Sequence, residues 1–137
     1  MTAVAAVRDR FRSPGTDRGS AVAEFAMVGS LVVLLFLAAF QVGFSLFVRN
    51  TLIADAAEGA RYGARADESP GAGAQRARDL IGSSVSSRYA RHVTASVEQR
   101  AGVTVVVVRV RAPLPVVGPF GPSQSLDVSA HAYEERQ

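Results

Sequence analysis

The residues able to do chemistry are few, and their spacing does not suit catalysis. The chain has no cysteine and only two histidines, His92 and His131. This removes disulfides, thiolate metal sites, iron–sulfur clusters and cysteine nucleophiles. With no third histidine, no metal site is expected. His131 alternates with Asp127 and Ser129, which is the pattern of one polar strand face rather than a triad assembled from separate elements. No carboxylates are paired for hydrolysis. No glycine-rich turn with a lysine and a hydroxyl follows a strand, so no phosphate loop is formed. Arg109 and Arg111 share a strand face but lack the aromatic support of a nucleic-acid patch. The expectation is a protein with no enzymatic activity, no cofactor and no nucleic-acid partner. One ionisable group remains out of place. Glu24 stands immediately before a long uncharged stretch.

That stretch, FAMVGSLVVLLFLAAFQVGFSLFV, fills residues 25–48. As a helix it rises about 36 Å, and about 20 residues suffice to cross the hydrocarbon core of a bilayer. Gln41 is its only strongly polar member. Ser30 and Ser45 can bond back to carbonyls one turn earlier. Gly29 and Gly43 suit close helix contacts. The rest of a 137-residue chain is too small and too polar to wrap such a helix on all sides. The run therefore reads as a transmembrane helix, longer than the apolar core of a secretory signal. Two placements are open to Glu24. In the headgroup region it meets the positive end of the helix dipole at little cost. At membrane depth it needs a positive group, such as an α-amino group on a neighbouring subunit.

All 15 basic residues are arginine, and the net charge is only +3. Arg8, Arg10, Arg12 and Arg18 precede the run, and Arg49, Arg61 and Arg65 follow it. This modest bias places the N-terminus in the cytoplasm and the C-terminal part outside. Residues 8–19, RDRFRSPGTDRG, are charged and broken by Pro14 and Gly15, as in a disordered leader.

The junction RGSAVAEF, residues 18–25, resembles the processing site of type IV pilin-like precursors. Together with the leucine-rich run and the later AAEGARYGA, residues 56–64, it is similar to the TadE-like proteins of the tight-adherence (Flp) pilus system. Val22 stands where alanine is commoner in that family, and Gly29 and Ser30 where a proline is often seen. The resemblance covers about residues 17–66. It implies a minor pilin or pseudopilin, cut by a prepilin peptidase between Gly19 and Ser20, with Glu24 at the fifth mature position and Phe25 opening the helix. Glu58, Arg61 and Tyr62 are the family-motif positions beyond the membrane. Gly59 and Gly63, flanked by Ala57 and Ala60, would let spine helices pack closely. The implied partners are the peptidase, other pilin-like subunits, the assembly platform with its ATPase, and the lipid bilayer. The implied location is the bacterial cytoplasmic membrane, crossed once, with possible incorporation in a pilus. Removing residues 1–19 would take away four arginines and two aspartates, so that no basic tail need be drawn through the bilayer.

The fold class expected is α+β: a long spine helix with a small exposed cap. Residues 1–19 form the leader, 20–66 the spine with its transmembrane part at 25–48, and 67–137 the extracytoplasmic domain. Glu58 and Arg61 can pair at i,i+3. DESPGAGA, residues 67–74, reads as a linker with a turn at Pro70–Gly71, and residues 75–90 as a second helix. Alternation at 93–98, 103–112 and 126–133 gives three antiparallel strands, with a hairpin turn at 99–102 and a Pro/Gly loop at 113–123. Val106, Val108 and Val110 share one face, Arg109 and Arg111 the other. Tyr62, Tyr89 and Tyr133 read as packing residues. So thin a cap is expected to need partner subunits to complete its core. The alternative is an unprocessed single-pass membrane protein with a partner-binding outer domain, which gives Gly19 and Glu24 no role.

Overall fold

The computed structural model of the chain describes residues 16–115 and 125–134, with side chains from residue 19 onward. Most of the expected leader and the greater part of the 113–123 loop lie outside the described residues. The arrangement is α+β, as expected. A long helix α1 (Thr16–Gly63) is followed by a short helix α2 (Pro70–Ser84), a 3-10 turn at Ser87–Ala90, and strands β1 (His92–Arg100), β2 (Val103–Pro113) and β3 (Ser125–Tyr133). The chain divides into two compact units between Phe40 and Gln41. The change of unit therefore falls inside α1.

In the first unit, the apolar residues of α1 point outward all round. Phe25 is 80% exposed, and Leu35 and Phe36 are each 71% exposed. A core helix of a soluble fold would bury such residues. Among the described residues, α1 is the one helix long and apolar enough to cross a membrane.

In the second unit, the remainder of α1 supplies one wall of a core. Val48, Leu52, Ala56 and Ala60 recur at four-residue steps and are fully buried. They pack in one cluster with Ala74, Ala77 and Ile81 of α2, Tyr89, and the inner face of the sheet. The spine helix of the same chain thus closes one side of this core, because the α1 stripe continues past the apolar run at core spacing.

α2 begins five residues earlier than expected. Ser69 is in extended conformation, and its hydroxyl accepts a hydrogen bond from the Ala72 N–H at 3.1 Å. Pro70 then takes the first helical position, where its missing N–H costs nothing and its fixed φ is already helical. The pair Pro70–Gly71 thus opens a helix rather than making a turn. A serine cap of this kind contributes about 1 kcal/mol. The helix stops at Ser84, where the Val85 and Ser86 N–H groups both reach the Ile81 carbonyl. The 75–90 segment is therefore split between α2 and the 3-10 turn.

The sheet is an antiparallel meander in the order β1-β2-β3. Its first hairpin closes through Ala101 and Gly102, both at positive φ (51° and 79°). A two-residue loop of this hand matches the twist of the flanking strands. Val93 opposes Val110, and Val110 opposes Val128, so the expected apolar faces meet on one side.

Candidate functional site

Three places carry the residues singled out by the sequence. The first is the start of α1. Gly19, Ser20, Glu24 and Phe25 are all exposed. The Ser20 hydroxyl donates to Glu24 Oε1 at 3.2 Å, across one helical turn. A Cβ placed on Gly19 would meet nothing within 4 Å. This chain's own described packing therefore does not require glycine there. What glycine does supply is a weak point, since it lowers helix stability by about 1 kcal/mol relative to alanine.

The second place is the segment Ala56–Ala64. Arg61 donates from Nε and Nη2 to a single oxygen of Glu58, at 3.2 and 2.8 Å. That hydrogen bond holds the Glu58 carboxyl below its ordinary value, against a smaller upward pull from desolvation. Both side chains are largely solvated, so the pair adds little to stability. Tyr62 lies under the Arg65 guanidinium, 5.1 Å from ring centre to Cζ. A hydrogen bond to Glu68 raises the Tyr62 phenol above its ordinary value.

Gly59 and Gly63 do make a close helix contact, but within the chain. A Cβ on Gly59 would stand 2.6 Å from the Gly73 carbonyl oxygen and 2.7 Å from the Ala77 Cβ. A Cβ on Gly63 would stand 3.0 Å from the Gly73 Cα. The surface that was expected to receive a second spine helix is occupied by α2. Ala60 is fully buried and Ala57 half-buried in the same region. Sequence reasoning missed Gly73, because the G-x3-G pair in α1 marks a small face without naming the element that fills it.

The third place is the outer face of the sheet. Arg109 and Arg111 lie on it, as expected from alternation, but both are paired. Arg109 reaches Glu98 at 2.6 Å and Arg111 reaches Asp127 at 3.2 Å. In register, Arg109 opposes Thr94 while Glu98 opposes Val105, so the first pair bridges the Ser96–Val107 position. Val105 and Val107 stand on this outer face and are nonetheless buried, at 0% and 1% exposure. The run VTVVVV in a central strand was the available signal that both faces are covered. Tyr89 is buried, with its hydroxyl accepting from Arg88 at 2.6 Å, whereas Tyr133 is 67% exposed and is not a packing residue in this chain.

Partial burial draws the Glu98 carboxyl upward. The hydrogen bonds from Arg109 and Arg100 outweigh it, and the group titrates below its ordinary value. A lowered folded value means that the carboxylate favours folding above the ordinary carboxylate range, and that this contribution is lost as pH falls through the folded value. Glu98→Gln should therefore melt slightly below the parent at neutral pH. The gap should close in acid, as read by thermal melts across a pH series.

His92, Thr94, Arg109, Arg111 and Asp127 line a cavity of about 510 Å³ on this face. Both of its cations are already engaged by carboxylates, so it has no unneutralised charge with which to hold an anion.

A helix long and apolar enough to cross a membrane, in a chain that also holds a small α+β unit, is consistent with a membrane-anchored protein. The family model described as TadE-like protein matches residues 19–61. That interval opens on the Gly19–Ser20 junction and closes on the Glu58–Arg61 pair. It associates the chain with the tight-adherence pilus as a pilin-like protein and suggests contact with other pilus components. No curated protein and no solved structure matches the chain.

Proposed function

We propose that the chain is a non-enzymatic, pilin-like subunit that assists assembly of a tight-adherence pilus or a related secretion apparatus. A prepilin peptidase matures it by cutting between Gly19 and Ser20. The observation that carries the reading is the junction itself. Gly19, Ser20 and Glu24 lie exposed at the start of a helix whose next 24 residues carry no charge, inside the segment matched by the TadE-like family. The mature helix start then faces other pilin-like subunits, and the assembly platform with its ATPase supplies the work of extraction. The N-terminus is cytoplasmic and the α+β unit extracytoplasmic.

The decisive test is the N-terminal residue of the protein recovered from its native membrane, by intact mass and terminal peptide sequencing. The expected chain begins at Ser20. A chain that keeps residues 1–19 in cells with active peptidase would overturn maturation and leave a single-pass membrane protein.

Glu24 contributes to assembly rather than to insertion. Glu24→Gln keeps the size and removes the charge, so membrane insertion should be unchanged while pilus assembly falls. Fractionation together with a count of surface pili checks both, and normal piliation of the variant would remove the carboxylate from the mechanism.

A further inference from the structure

The apolar run of α1 extends to Val48, yet the cap reaches down it as far as Gln41. Gln41 and Ser45 are half-buried and Val48 fully buried. The Gln41 amide donates to the Pro115 carbonyl, 74 residues away in sequence. Pro115 belongs to the segment that leaves β2, and it is buried where it meets the helix. From Gln41 to Val48 the helix rises about 10 Å. Pro115 thus lies about 10 Å below the level at which Arg49 ends the apolar run.

The bilayer has to reach that level. Residues 25–40 alone would span about 24 Å, short of the roughly 30 Å hydrocarbon core. The missing thickness comes from residues 41–48, the stretch beside Pro115. On this stretch Val42, Leu46 and Phe47 remain more than half exposed, so lipid is available to the helix at the same height. The segment beside it is chemically suited to that height. From Ala112 to Pro115 the chain has no charged residue. Pro113 and Pro115 have no N–H to leave unsatisfied in hydrocarbon, and the Gln41 amide satisfies the Pro115 carbonyl. Non-helical backbone is tolerated at membrane depth where it is buried in protein, and Pro115 is buried against the helix.

We infer that the segment leaving β2, at Pro113–Pro115, is a second membrane contact. It dips into the outer leaflet beside α1, held by the Gln41 amide, and its partner is the acyl-chain region of the lipid. The one strongly polar side chain of the apolar run is thereby explained: Gln41 ties the cap to the helix below the headgroups. The inference rests on α1 crossing the membrane, and not on processing or on the pilus.

The test uses the full-length chain in phosphatidylcholine vesicles containing brominated acyl chains. The protein has no cysteine, so an environment-sensitive fluorophore can be placed on one introduced thiol at a time. Four positions are needed: Leu114→Cys, its exposed neighbour Pro113→Cys, Val33→Cys in the middle of the run, and Thr94→Cys on the outer sheet face. The expected result is strong quenching at Val33, clear quenching at Leu114 and Pro113 by bromines near the headgroups, and none at Thr94. Quenching at Val33 with Leu114 and Pro113 as unquenched as Thr94 would overturn the second contact and leave the transmembrane helix intact. No quenching at Val33 would overturn both.

Discussion

Gly73→Val should detach α2 from α1 and unfold the cap at temperatures where the parent is folded. A Cβ at Gly73 would stand 2.5 Å from the Gly59 carbonyl oxygen, 2.9 Å from the Gly63 Cα and 3.0 Å from the Gly63 nitrogen. All three are backbone atoms of a helix, and no side chain can rotate away to make room. The helices must separate, and Ala77 and Ile81, which share the α2 face, then lose their contacts with the core. Overpacking of this kind costs about 1–3 kcal/mol and occasionally more. A small domain has only about 5–15 kcal/mol in total. The control is Gly82→Val, on the same helix, where a Cβ meets nothing within 4 Å. Circular-dichroism melts in detergent should show a large drop in midpoint for the first variant and little change for the second. Equal midpoints would mean that the helices do not pack through Gly73.

Gly19→Leu should have the opposite profile: an intact fold and an unprocessed protein. A Cβ at that position would meet nothing within 4 Å. Any loss must therefore arise outside this chain, in the site that cuts it. A peptidase has to open the helix locally to reach the bond after Gly19. Leucine both stabilises the helix by close to 1 kcal/mol relative to glycine and adds bulk next to that bond. Under the proposed function, cleavage should fall to near zero, with membrane insertion and the melting midpoint of the cap unchanged. Intact mass of the membrane fraction reads the outcome, and normal processing would remove Gly19 from the junction.

The sequence revealed more of the sheet than of the helices. Alternation located all three strands to within a few residues, because β2 is flanked by clear turn residues and its two faces differ at Arg109 and Arg111. The start of α2 was misread because Pro70–Gly71 has two physical meanings, a turn or a helix entry. Only Ser69, by bonding the Ala72 N–H, decides between them. Val105 and Val107 were assigned to no core because alternation places them outside. The Arg109–Glu98 bridge that spans their part of the sheet joins residues on different strands and at different registers. The glycine pair in α1 was visible as a close-contact signal, but its partner was not. Periodicity within one helix says which face is small, not which element fills it. The Gln41–Pro115 bond is of the same kind, since a contact between residues so far apart in sequence leaves no local pattern. For the candidate site, the proposed junction at Gly19–Phe25 could be read from the sequence because it is a linear motif.

The core residues Val48, Leu52, Ala56 and Ala60 belong to the same continuous helix as the apolar run. A tensile force carried by residues 41–63 of α1 therefore acts on the core of the cap through the helix itself. It is met by four rows of side chains spaced over about 18 Å, all sheared at once rather than peeled one by one. The Gln41–Pro115 bond stands first in that line, and the interlocked glycines of α1 and α2 stand last.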